Sequence, residues 1–170
     1  MKTVDHSAEI SATPEEIIAA LLDTDFPDQL LPKLKKVSKI SAEDTGRDDQ
    51  GRIKRVFHYT APAELPRFLR RFKDRAPEEV NWQEIVLIDP DASRASFEII
   101  ADVPEHWHER YDNEGEMVMT PNNKGGTTLR QTMRFKVDSP ALGFVINRAI
   151  GSEVEDIFKA RANVLADRFR

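Results

Sequence analysis

The closing stretch, Ser139–Arg170, constrains the fold of this chain more than any other segment. Leu142, Val145, Ile146, Ala149, Ile150, Ile157, Phe158, Val164, Leu165 and Phe169 recur at helical spacing and form one apolar stripe. Almost everything before residue 139 reads as strand. A long helix with one apolar face, following a large antiparallel sheet, must bury that face against the sheet. When the sheet is curved, a hollow tends to remain between the two layers, and small apolar molecules bind in such hollows.

The first strand is expected at Lys2–Ser11, where Val4, His6, Ala8 and Ile10 share one face. Thr13-Pro14-Glu15-Glu16 opens a helix, with Thr13 as N-cap, Pro14 at the first helical position and Glu16 at capping-box spacing. Asp25-Phe26-Pro27 restarts the chain into a second short helix through Leu30 and Leu31. Strands are expected at Leu34–Ala42 and Arg52–Thr60, joined by a polar turn over Glu43–Gly51. Further strands are expected at Val80–Ile88, Ser93–Ala101, Glu114–Thr120 and Thr127–Val137. Residues 61–78 break the pattern. Leu65, Phe68, Leu69 and Phe72 fall on one helical face there, with Arg67, Arg70, Arg71 and Lys73 on the other. Ser139 caps the closing helix and Pro140 occupies its first turn. Unbroken, that helix would be about 45 to 50 Å long, and Gly151-Ser152 is the expected place for a bend. Nothing divides residues 1–170 into more than one domain.

Composition narrows the function classes. A net charge of −5 argues against general nucleic-acid binding, which needs a basic face. The absence of cysteine excludes disulfides, thiolate metal sites and cysteine nucleophiles. No run approaches the roughly 20 apolar residues needed to span a bilayer. The N-terminus carries no apolar core of signal-peptide length, so a cytoplasmic location is expected.

The order of elements resembles the helix-grip fold of the START-like (SRPBCC) superfamily, an α+β fold. That group includes birch-pollen-allergen-like proteins, polyketide cyclases and aromatases, and lipid-transfer domains. Local words agree over nearly the whole chain. Ser11-Ala12-Thr13-Pro14-Glu15-Glu16-Ile17 resembles the family's entry to its first helix, Gly125-Gly126-Thr127-Thr128-Leu129 its hairpin turn, and Ser139-Pro140-Ala141-Leu142-Gly143 the start of its last helix. The strand around Trp82-Gln83-Glu84 and the segment at 61–78 are most similar to a bacterial branch of unknown function. These words specify a fold better than an activity. The resemblance implies a curved antiparallel sheet of six to seven strands wrapped around the C-terminal helix, with two short helices after strand one. It carries over no catalytic residue pattern.

Inward-facing positions are the candidates for lining a cavity: His6, Tyr59, Trp82, Glu84, Phe97, Ile99, Met117, Met119, Gln131, Met133, Phe135, Phe144 and Ile146. The same residues would also serve as ordinary core. Within the resembling fold, Glu84 and His6 could face the cavity and act as an acid/base pair, or simply satisfy core groups. His106-Trp107-His108 would place two imidazoles on one face if extended, with Asp102, Glu105 or Glu109 adding a carboxylate. A surface loop is the simpler reading, and no metal or cofactor is expected.

Three functions follow in order. The first is binding or transport of a hydrophobic small molecule, lipid-like or aromatic. The second is a cyclase/dehydratase-like enzyme using Glu84 with His6. The third is a module docking on a membrane or acidic partner through the basic face of residues 65–75, which otherwise reads as a cavity lid or a packed helix.

Overall fold

A computed structural model describes residues 1–64, 78–102, 108–140 and 143–170. Seven strands form one antiparallel sheet in the order β1-β7-β6-β5-β4-β3-β2. They are β1 Lys2–Ile10, β2 Lys39–Arg47, β3 Ile53–Pro62, β4 Glu79–Asp89, β5 Arg94–Ala101, β6 Tyr111–Pro121 and β7 Thr127–Val137. Helices α1 (Pro14–Leu21) and α2 (Phe26–Leu30) and a 3-10 turn, Leu31–Lys33, connect the two edge strands, β1 and β2. The long helix α3 spans Gly143–Arg168.

Period-two alternation sets the register. In β7, Leu129, Gln131, Met133, Phe135 and Val137 are buried while Arg130, Arg134 and Lys136 are exposed. A one-residue slip would drive the cations into the core. Gly115 lies opposite Phe97 in the β5–β6 ladder, and a Cβ there would overlap the Phe97 ring. Glycine is what lets that aromatic lie flat over β6.

Helix α1 starts as its sequence dictates. The Glu16 N–H donates to Thr13 Oγ1 at 3.3 Å, and the Thr13 N–H donates to Glu16 Oε2 at 2.8 Å. Thr13→Ala should cost about 1 kcal/mol of unfolding free energy in urea titration. Its other end is closed from the sheet. Arg55 of β3 donates to the Leu21 and Asp23 carbonyls at 2.6 and 2.8 Å, satisfying groups the helix leaves open.

Several boundaries differ from expectation. Leu31–Lys33 is a 3-10 turn and β2 begins only at Lys39, because buried Leu34 and Val37 pack as loop residues. β2 then runs through the polar stretch to Arg47, where edge position lets polar side chains face water, and the turn shrinks to Asp48–Gly51. β6 begins at Tyr111, extending back from the expected Glu114. Helix α3 passes through Gly151-Ser152 without interruption. A Cβ at Gly151 would crowd the Lys2 side chain, so glycine there lets the β1 end cross the helix.

The apolar stripe of α3 is buried unevenly. Val154, Ile157, Phe158, Val164 and Leu165 are sealed in the core, whereas Phe144 is 81% exposed and Val145 also reaches solvent. Ile146 and Ile150 are half-buried. Leu142, the basic segment 65–75 and His106 lie outside the described residues. Among the described residues no helix is long and apolar enough to cross a membrane.

Candidate functional site

The uneven burial of α3 leaves a cavity of about 540 Å³ between its first half and the sheet. Ala61 and Pro62 of β3, Val80 and Trp82 of β4, Ile99 and Ala101 of β5, Tyr111 of β6 and Val137 of β7 form one wall. Ile146, Ala149, Ile150, Val154 and Ile157 of α3 form the other. Among the described residues the charged or imidazole groups of the lining are Lys36, Glu64, His108 and Glu153, with the Tyr111 hydroxyl among the apolar lining.

The sheet itself makes room here. β5 and β6 pair only from Arg94–Phe97 against Gly115–Val118. Beyond that point Asn113 takes over: the Ile99 N–H donates to Asn113 Oδ1 at 2.7 Å, and Asn113 Nδ2 donates to the Ile99 carbonyl at 2.8 Å. One side-chain amide satisfies both backbone groups, so the strands diverge without leaving a polar group orphaned. A second hollow of about 520 Å³ lies on the outer face of the same region and is bordered by Glu98, Glu114, Glu116 and Arg134. Its charged border suits solvent.

Lys36 Nζ and Glu153 Oε1 are 2.7 Å apart, both partly exposed, beside the cavity. The bond from Glu153 holds the Lys36 ammonium above its usual range, and Glu64 and Asp156 add to this. Burial alone pushes the Tyr111 phenol well above its usual range.

Below the cavity lies a buried polar network that does not line it. Arg161 of α3 is 1% exposed. Its Nη2 donates to both oxygens of Glu84 at 2.7 Å, and its Nη1 donates to Gln131 Oε1 at 3.0 Å. Tyr59 donates its hydroxyl to Glu84 Oε2 at 2.9 Å, and Gln131 Nε2 donates to the Phe158 carbonyl at 2.9 Å. The Phe97 ring lies 6.0 Å from the guanidinium. Burial opposes the charge on Arg161, but the adjacent Glu84 carboxylate outweighs it and raises the pKa. For Tyr59, burial and then the Glu84 charge both push the phenol up. Both Glu84 oxygens are engaged, so the network is a clamp between helix and sheet.

The sequence candidates therefore separate. Trp82, Ile99 and Ile146 line the cavity. Tyr59, Phe97, Met117, Met119, Met133 and Phe135 are closed core, and Gln131 and Glu84 belong to the clamp. Phe144, expected to line the hollow, faces solvent, because the first turns of α3 extend past the sheet's cover. The expected Glu84–His6 pair does not form. Arg161 takes the carboxylate, while half-buried His6 sits opposite Gln131 in the β1–β7 ladder and its Nδ1 has no partner among the described residues. His108 precedes β6 and borders the cavity; the other imidazole of the expected pair, His106, lies outside the described residues. Among the described residues no group of three or more potential metal ligands gathers.

Sequence reasoning missed Arg161, Tyr111, Lys36 and Glu153. Arg161 carried a signal: it stands four residues from both Ile157 and Leu165, inside the apolar stripe. A cation at such a position needs a buried partner, and Glu84 was the inward-facing acid available.

A seven-stranded antiparallel sheet gripping one long C-terminal helix defines the helix-grip fold of the START-like superfamily. The chain belongs to the family described as "Protein of unknown function (DUF2505)", which matches residues 5–168. Solved structures share the fold at low identity. An aromatase/cyclase, Zhui, from Streptomyces sp. R1128 is 14% identical with a TM-score of 0.66, over 98% of this chain and 92% of that one. A START superfamily protein from Mycobacterium smegmatis is 14% identical with a TM-score of 0.59, over 99% of both chains. Norcoclaurine synthase from Thalictrum flavum, in complex with dopamine and hydroxybenzaldehyde, is 15% identical with a TM-score of 0.60, over 98% of this chain and 87% of that one. No curated protein matches the sequence.

Proposed function

We propose that this protein binds, and in that sense carries, a hydrophobic small molecule in the cavity between the sheet and the first half of α3. The observation that supports this reading is the separation of chemistries. Apolar side chains wall a space of about 540 Å³, while the buried charges are neutralised apart from it. Such a space suits a ligand held by apolar burial and oriented by one or two polar groups. The shared fold with an aromatase/cyclase and with norcoclaurine synthase, a protein holding small aromatic molecules, is consistent with it.

Cyclase-like chemistry is the second reading. It cannot use Glu84 with His6, because Glu84 is committed to Arg161 and Tyr59. Tyr111 and His108, which border the cavity, are the groups such a reaction would draw on. Docking through Arg67, Arg70, Arg71 and Lys73 concerns residues outside those described.

The test is a titration with the uncharged fluorophore N-phenyl-1-naphthylamine. Binding to the native chain should raise its thermal midpoint and show a negative ΔCp. Ala61→Trp places an indole in the cavity and should weaken binding at least about tenfold with the far-UV spectrum unchanged. Equal affinity in that variant removes this reading.

A further inference from the structure

The cavity carries enough chemistry to narrow its occupant, given the binding reading above. Trp82 is stacked on Tyr59, with ring centroids 5.2 Å apart and planes 3° from parallel. Tyr59 is itself fixed at its far end, because its hydroxyl is held by Glu84 and Glu84 by Arg161. The indole that lines the cavity is therefore backed by a ring that cannot yield. Its register neighbour on β5 is Ala101 and the adjacent inward position on β3 is Ala61, both small and both lining the cavity. A rigid aromatic surface with alanines at its side leaves space for another flat ring.

Tyr111 supplies the second element. Tyr111 is half-buried, and its hydroxyl makes no hydrogen bond with any described residue. A bound acceptor would offer that hydroxyl the partner that no described residue supplies. The third element is charge. Among the described residues Lys36 is the ammonium lining the cavity, and it is already held by Glu153, with Glu64 a second carboxylate beside the space. A ligand carboxylate would have to break that pair and face two acids.

We infer that the natural ligand is an uncharged, planar aromatic molecule with a hydrogen-bond acceptor, its ring lying against Trp82 and its acceptor receiving the Tyr111 hydroxyl proton. Tyr59, Glu84 and Arg161 act as positioning residues for the Trp82 surface and do not touch the ligand.

Fluorene and 9-fluorenone have nearly the same shape and differ by one carbonyl acceptor. Palmitate represents an anionic lipid. Each is measured by displacement of N-phenyl-1-naphthylamine from the native chain, from Tyr111→Phe and from Ala61→Trp. Fluorenone should bind the native chain roughly three- to tenfold more tightly than fluorene, and palmitate more weakly than either. Tyr111→Phe should remove the fluorenone advantage and leave fluorene affinity unchanged, a split that a general loss of packing would not produce. Equal affinity for the two aromatics, an advantage that survives Tyr111→Phe, or tightest binding of palmitate overturns this ligand class. Those outcomes leave the cavity reading intact if Ala61→Trp still weakens whichever probe binds. Failure of the fluorophore and all three competitors to bind overturns both.

Discussion

Arg161→Ala should lower stability by about 3 to 5 kcal/mol, the cost of stranding a buried carboxylate without its counter-charge. For a chain of this length that corresponds to a drop of roughly 10 °C in thermal midpoint. Glu84 would keep only the Tyr59 hydroxyl, and Gln131 Oε1 would lose its donor as well. The loss should be reversed in part by Arg161→Met combined with Glu84→Leu, because the apolar pair leaves no buried charge unpaired, although the Tyr59 hydroxyl and Gln131 Oε1 lose their partners. Denaturant titrations of Arg161→Met, Glu84→Leu and the double variant close the cycle. A single-variant cost under about 1 kcal/mol would mean that water reaches Glu84 and that the clamp is not buried in solution. The double variant also separates stability from binding. If the clamp positions Trp82 through Tyr59, affinity for aromatic probes should fall even where part of the stability has returned.

Phe158→Ala should cost a similar amount, about 3 to 5 kcal/mol, by a different mechanism. Phe158 is almost fully buried and meets Phe97 edge-on, with centroids 5.9 Å apart and planes at 88°. Phe97 in turn lies over Gly115, which has no side chain to move into the gap. The void should therefore persist. Urea unfolding should show a lower midpoint with the slope unchanged. Phe158→Leu, which keeps most of the volume, should lose clearly less. Equal losses for the alanine and leucine variants would contradict a cavity mechanism and point to the aromatic contact itself.

The helix-grip architecture was readable because its signals are local. Alternation in Thr127–Val137 matched β7 end to end, and Thr13 with Glu16 formed the capping box at the position where the sequence placed it. The strand after α2 was misplaced because apolar residues at 34, 37 and 40 satisfy either a loop pressed on the core or a strand. Phe144 was misassigned for a related reason. Spacing places it on the stripe of α3, but spacing does not report how far along the helix the sheet extends.

The candidate site was legible only in part. Trp82, Ile99 and Ile146 were found because alternation or helical period marks the inward face. Tyr111 was missed because β6 begins there, three residues before the alternation that marks the strand from Glu114. Lys36 and Glu153 meet across 117 positions of sequence, and no local pattern reports such a pairing. Glu84 was recognised as an inward-facing acid but given the wrong partner, since His6 and Arg161 both stand on apolar faces and sequence does not rank their distances.

Periodicity, caps and turns therefore determined which segments became strand or helix and which face each one buried, since those depend on neighbours within a few residues. Tertiary structure alone decided where the buried charge found its mate, where β5 and β6 part, and which stretch of α3 covers a hollow instead of a packed core. Those outcomes depend on how far apart separate elements come to rest, and that distance is set by the summed packing of the whole sheet against the helix.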